Sequence, residues 1–123
     1  MLSYDLLEYQ KINIKEDKLI EKYNIFEEIS IDKNEELFFE VFKNDKIEIE
    51  KIVSNGQTSP QNFWYEQENN EYILLLEGFA ILEFEDFEVG LKKGDCLNIE
   101  AFKKHRVKFT SLDEPTIWFA VFY

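Results

Sequence analysis

The chain has 123 residues, 45% hydrophobic and 16% aromatic, enough for one well-filled core and too much for a disordered segment. Its 26 Asp and Glu against 14 Lys and Arg leave a net charge of −12, a field that repels phosphate backbones and so excludes nucleic acid as a partner. The single Cys96 cannot form an internal disulfide, no secretion signal opens the chain, and no apolar run approaches the roughly 20 residues of a membrane helix, so a cytoplasmic protein without membrane association is expected.

Residues 1–23 mix acids, lysines and isolated apolar side chains without a clean period. They read as an irregular or partly helical extension ahead of a single domain over residues 24–123. Asp32 with Glu35 three positions later forms a capping-box pattern, and Leu37, Phe38, Val41 and Phe42 share one face at helical spacing, so a short helix is predicted over residues 33–43.

Beyond residue 45 the period changes to two, starting with Ile47 and Ile49 between acids. Strands are predicted over Lys46 to Ser54, Glu71 to Leu76, Phe79 to Glu85, Cys96 to Ile99, His105 to Phe109 and Thr116 to Phe122. Turn signals separate them at Asn55-Gly56, Glu77-Gly78, Val89-Gly90, Lys93-Gly94-Asp95 and Asp113-Glu114-Pro115. With no long helix between strands, parallel crossovers are excluded, and the chain reads as a largely antiparallel sandwich, jelly roll or barrel.

Alternation then sorts the polar residues by face. His105, the only histidine, lies on the side of Val107 and Phe109, whereas Arg106, Lys108 and Thr110 form the solvated side. Glu71 shares its side with Ile73 and Leu75, although Tyr72, Leu74 and Leu76 make the other side equally apolar. An inward carboxylate and an inward imidazole are each costly to desolvate unless paired, hydrogen-bonded or bound to a metal.

The aromatic run Phe63-Trp64-Tyr65 reads as core or rim packing, and its position just ahead of Glu71 makes it the candidate pocket wall. Cys96 reads as a plain structural thiol. Ser54, Thr58 and Ser59 lack a neighbouring histidine and a nucleophile elbow, which argues against a hydrolytic triad. The last strand is apolar on both faces, with Ile117, Phe119, Val121 and Tyr123 against Trp118, Ala120 and Phe122, which predicts cover by the N-terminal segment or by a second subunit.

Several of these residues are similar to the two motifs of the small single-domain cupins. Glu71 and Gly78 stand at the Glu-to-Gly spacing of the first motif, and Gly94-Asp95, Ile99-Glu100-Ala101 and His105 follow the order of the second. The resemblance runs from about residue 24 to the C-terminus and implies a double-stranded β-helix, the jelly-roll cupin barrel of the RmlC-like superfamily, here with a short N-terminal helical segment. It also implies a homodimer and a divalent metal (Mn, Fe, Ni or Zn) held at positions that become Tyr65, Gln67, Glu71 and His105.

Both histidines of the first motif are absent, however, and two prolines of the second are replaced by Lys92 and Glu100. The metal reading therefore rests on Glu71 and His105, with Gln67 or Glu66 completing the shell. Tyr65 is a poor ligand near neutrality, since a phenol titrates near pH 10. Two readings stay open, a barrel that binds or converts a small molecule with a metal, and a metal-free binding, sensory or dimerisation domain in which Glu71 and His105 are a hydrogen-bonded pair. Ligand and reaction are not encoded in any motif.

Overall fold

Alternating apolar side chains build eight strands in the computed structural model, which describes residues 20–27 and 29–123. These are β1 (Leu37–Lys43), β2 (Glu48–Ser54), β3 (Glu71–Glu77), β4 (Phe79–Phe84), β5 (Glu88–Lys92), β6 (Cys96–Ile99), β7 (His105–Thr110) and β8 (Thr116–Phe122). Every pairing is antiparallel. One sheet has the order β1-β2-β8-β3-β6 and the other β5-β4-β7, the two-sheet jelly-roll barrel expected of the sequence. No helix among the described residues is long and apolar enough to cross a membrane.

The core lies between the sheets, where Ile73, Leu75, Leu82, Leu91, Trp118 and Ala120 are buried together. Burying a large aliphatic or aromatic side chain contributes about 1.5–3 kcal/mol, so this layer is the main force closing the barrel. A tight turn carries the chain from one sheet to the other. Gly78, at φ +87°, lets β3 pass directly into β4, and a Cβ there would stand 2.4 Å from Thr116 Oγ1 and 2.7 Å from Thr116 Cα. Only glycine satisfies both constraints.

Three sequence expectations are corrected. The helix over 33–43 is strand β1, paired with β2 from Leu37↔Val53 to Lys43↔Glu48 with a register shift between Glu40 and Phe42. Asp32 does not cap a helix: its carboxylate accepts from the Asn34 N–H, 2.8 Å away, as an Asx turn does. The run Leu-Phe-Phe-Glu-Val-Phe is rich in strand formers, and pairing with β2 overrode the helical spacing.

The Val89-Gly90 turn is likewise absent, because Gly90 lies inside β5 opposite Ile81 and the chain instead reverses where the Phe84 N–H donates to the Phe87 carbonyl at 2.8 Å. A Cβ added at Gly90 would meet the Phe79 ring at 3.6 Å, an ordinary van der Waals contact, so neither space nor backbone conformation requires glycine there.

The third correction concerns β7. Its register with β4 shifts between Ile81 and Leu82, so that Leu82 opposes Val107 but Ile81 opposes Phe109, leaving Lys108 as the extra residue of a bulge. His105 and Val107 keep the expected inward side, but beyond the bulge the faces exchange. Thr110 is fully buried and donates to the Gln57 carbonyl, while Phe109 is 37% exposed.

Residues 22–27 lie against the β1–β2 part of the five-stranded sheet, on its outer face. There Lys51, only 2% exposed, donates to the carbonyls of Ile25 and Glu27 at 3.3 and 3.4 Å and lies over the rings of Phe39 and Tyr23. The contacts of this N-terminal segment are to β1 and β2, and the outer side chains Phe119 and Val121 of the doubly apolar β8 stay half-buried. The partly helical extension expected over 1–23 falls mostly on residues 1–19, outside the described residues; residues 20–24 carry no regular structure.

Candidate functional site

Two strand starts and one loop bring the polar residues together. Glu71 opens β3, held between Ile99 of β6 and Phe122 of β8. His105 opens β7 opposite Phe84, and its backbone exchanges two hydrogen bonds with Tyr65, at 2.8 and 3.1 Å. That short bridge fixes the loop before β3, so that Gln67 donates its amide N–H to Glu71 Oε1 at 3.0 Å. The same carboxylate oxygen stands 3.6 Å from His105 Nε2, and both side chains are almost fully enclosed.

The other ring nitrogen determines what this pair can do. His105 Nδ1 lies 2.8 Å from the Lys103 carbonyl, which can only accept, so Nδ1 carries a proton in the neutral and in the charged ring alike. Nε2 is then the atom that gains or loses a proton, and it faces Glu71. Burial disfavours the imidazolium, but Glu71 and the Lys103 carbonyl outweigh it and raise the His105 pKa above its ordinary value. The pair can hold a proton at Nε2 or release it to a neighbour within reach.

Beside the pair lies a cavity of about 230 Å³ between the sheets. Ile52, Ile73, Leu82, Ile99, Val107, Trp118, Phe38 and Phe122 form its apolar wall, and Glu71, His105, Gln67, Tyr65, Glu36 and Glu50 its polar part. Glu36 accepts a hydrogen bond from the Ser54 hydroxyl, which in turn accepts from the Trp118 indole at 3.1 Å. Burial raises the Glu36 pKa despite that bond. Glu50 is raised by burial, then by the charge of Glu48 and more distantly of Glu71 and Glu40. The Tyr65 phenol is raised by burial and by Glu36, only partly offset by Ser59.

The structure thus brings Glu71, His105, Gln67 and Tyr65 to one cavity, and leaves three other candidates outside it. Glu66 is exposed, because it alternates with Tyr65 and Gln67 on a segment whose cavity side they occupy. Phe63 is 44% exposed and packs edge-on against Tyr65, with ring centroids 4.9 Å apart, and Trp64 is half-buried; neither lines the cavity. Glu36 and Glu50 were missed by the sequence reading. Glu36 fell in the supposed helix, and Glu50 looked like the solvated partner of Ile47 and Ile49. The signal for Glu50 was the run Ile49 to Val53, where apolar side chains occur on both faces of β2.

The donor set does not fit a tightly held divalent ion. Among the described residues no three or more His, Cys, Asp or Glu side chains come together as a metal-binding group. One imidazole and one carboxylate approach each other, Gln67 turns its N–H to that carboxylate, and the raised pKa of Tyr65 disfavours the phenolate a metal needs.

No family model matches the chain, and no curated protein matches it. Solved structures do. A protein of Ralstonia eutropha JMP134 named "putative mannose-6-phosphate isomerase" is 33% identical with a TM-score of 0.80, over 84% of this chain and 97% of that one. A cupin superfamily protein of Desulfitobacterium hafniense DCB-2 is 20% identical with a TM-score of 0.65, over 76% and 82% of the two chains. An RmlC-like cupin of Desulfovibrio desulfuricans is 17% identical with a TM-score of 0.68, over 84% and 96%. The last two bear on the fold alone.

Proposed function

Given that this chain belongs to the cupin superfamily, we propose that it holds a small organic molecule in the cavity between its sheets, without a resident metal, with Glu71 and His105 as the hydrogen-bonding anchor. One observation carries this reading: an apolar cavity of about 230 Å³ meets a buried imidazole whose Nε2 has no hydrogen-bond partner among the described residues nearer than Glu71 at 3.6 Å. Concave, mostly apolar sites with a few convergent polar groups are where proteins bind small molecules. The volume lies below the roughly 300–1,000 Å³ of drug-sized sites, so the occupant is a metabolite of modest size.

The phosphorylated sugar in the name of the Ralstonia protein matches this cavity poorly. Among the described residues no Lys or Arg lines it, and three carboxylates do. A phosphate dianion would meet like charge with no partner.

Benzyl alcohol, an apolar ring with one hydroxyl, is a suitable probe. Calorimetric titration is expected to show one site per chain, lost in Val107→Phe, which fills the cavity, and kept in Glu66→Gln, which lies outside it. Binding unaffected by Val107→Phe would contradict the reading. Elemental analysis of untagged protein is expected to find well under one equivalent of Mn, Fe, Ni or Zn; a full equivalent lost in both His105→Ala and Glu71→Ala would restore the metal reading.

We also propose that two copies associate through the outer face of the five-stranded sheet. Leu74, Phe119 and Val121 are only half-buried there and Tyr72 is 45% exposed.

A further inference from the structure

The charges around the cavity are unbalanced. Glu36, Glu50 and Glu71 reach it from three different segments, the residue before β1, the middle of β2 and the start of β3, and His105 is the one basic side chain among the described residues that lines it. Even with the imidazole protonated, three carboxylates face one positive charge. Glu71 already has His105 and Gln67, and Glu36 has the Ser54 hydroxyl. No side-chain cation is paired with Glu36 or Glu50 among the described residues.

Aromatic faces stand with these acids. Phe38 follows Glu36 by two residues, Trp118 lies across the β2–β8 pairing from Ile52, and Tyr65 and Phe122 complete the aromatic part of the wall. Carboxylates beside aromatic rings are the chemistry that recognises an ammonium group, through charge-assisted hydrogen bonds and attraction to the ring faces. A neutral ligand would leave the repulsion among the acids in place, and an anion would add to it. The buried imidazole lines the same cavity, and its Nε2, 3.6 Å from Glu71 and so short of a hydrogen bond, independently marks that space as one that receives a polar ligand group.

We propose that the ligand is a small organic cation, a primary amine or alkylammonium carrying an apolar body, whose positive group lies at the Glu36–Glu50 end while its apolar part fills the space lined by Ile73, Leu82 and Val107. This inference rests on the proposed binding role of the cavity and names the class of molecule it takes.

Three probes of one shape and different charge separate the possibilities: benzylammonium, benzyl alcohol and benzoate, titrated into the full chain at pH 7. Benzylammonium is expected to bind about tenfold more tightly than benzyl alcohol, the size of a partly exposed cation–π contact joined to a carboxylate, and benzoate more weakly than either. In Glu36→Gln combined with Glu50→Gln that preference is expected to vanish, with a cooperative thermal unfolding transition showing that the fold persists, while Glu66→Gln, which lies outside the cavity, is expected to keep the preference. Equal affinity of the amine and the alcohol, or a preference that survives the double substitution, overturns the cation assignment and leaves the binding cavity standing. If none of the three binds, the cavity reading itself fails, and the assignment with it.

Discussion

His105 Nε2 faces Glu71 Oε1 across 3.6 Å while His105 Nδ1 is committed to the Lys103 carbonyl, so a single protonation at Nε2 decides whether the two side chains attract or repel. The carboxylate is further held by Gln67, and the imidazole by the backbone bridge between residues 65 and 105. These constraints place a titratable group at the wall of the cavity with little freedom to move away.

Because the folded His105 pKa is raised, the pair stabilises the fold fully below the ordinary value of about 6.5 and loses that contribution as pH rises through the folded value. As the only histidine, its imidazole proton resonances are unambiguous in a pH titration. The midpoint is expected above 6.5 in the native chain and lower in Glu71→Gln. A native midpoint below 6.5 would contradict the geometry.

Removing either member alone leaves a buried polar group without its partner, at a cost of about 1–3 kcal/mol. Denaturant unfolding of Glu71→Gln, His105→Ala and the double variant is expected to give a double loss smaller than the sum of the singles, with a coupling of about 0.5–3 kcal/mol. Additive losses would show that the two side chains act independently.

The turn glycines offer a test of the backbone. Gly94→Ala meets open space and incurs only the strain of φ +90°, about 1–2 kcal/mol. Gly78→Ala adds collision with Thr116 Oγ1, Thr116 Cα and the Pro115 carbonyl, all within 3 Å, so thermal unfolding is expected to show a distinctly larger loss there. Equal losses would mean that the β3–β4 turn relaxes away from Thr116.

Sedimentation equilibrium is expected to return a dimer that dissociates in Phe119→Glu, whose site lies on the half-buried outer face of β8. A monomer over the whole concentration range would remove the second copy from the account.

The barrel was legible because period-two alternation and Gly-containing turns are local signals, and the β6 and β8 boundaries follow them residue for residue. The half-site of Glu71 and His105 was legible for the same reason, since both sit at strand starts with apolar residues two positions on. What escaped the sequence depended on pairing. The Lys108 bulge exchanged the faces of Phe109 and Thr110, partnership with β2 turned Leu37–Lys43 into a strand, and pairing with Ile81 placed Gly90 inside β5 instead of in a turn. Glu36 was hidden by the helix read in place of β1 and Glu50 by its place between Ile49 and Lys51 on a strand whose faces are both partly apolar, so the sequence reading recovered one end of the cavity and missed the other.

The central claim is that the cavity binds an organic molecule through the chain's own side chains with no metal between them. Its most direct test is calorimetric titration of the full chain with benzyl alcohol, before and after exhaustive dialysis against EDTA. Binding at one site per chain with unchanged affinity is the predicted result. Binding abolished by the chelator and restored by Mn²⁺, Fe²⁺, Ni²⁺ or Zn²⁺ would contradict it.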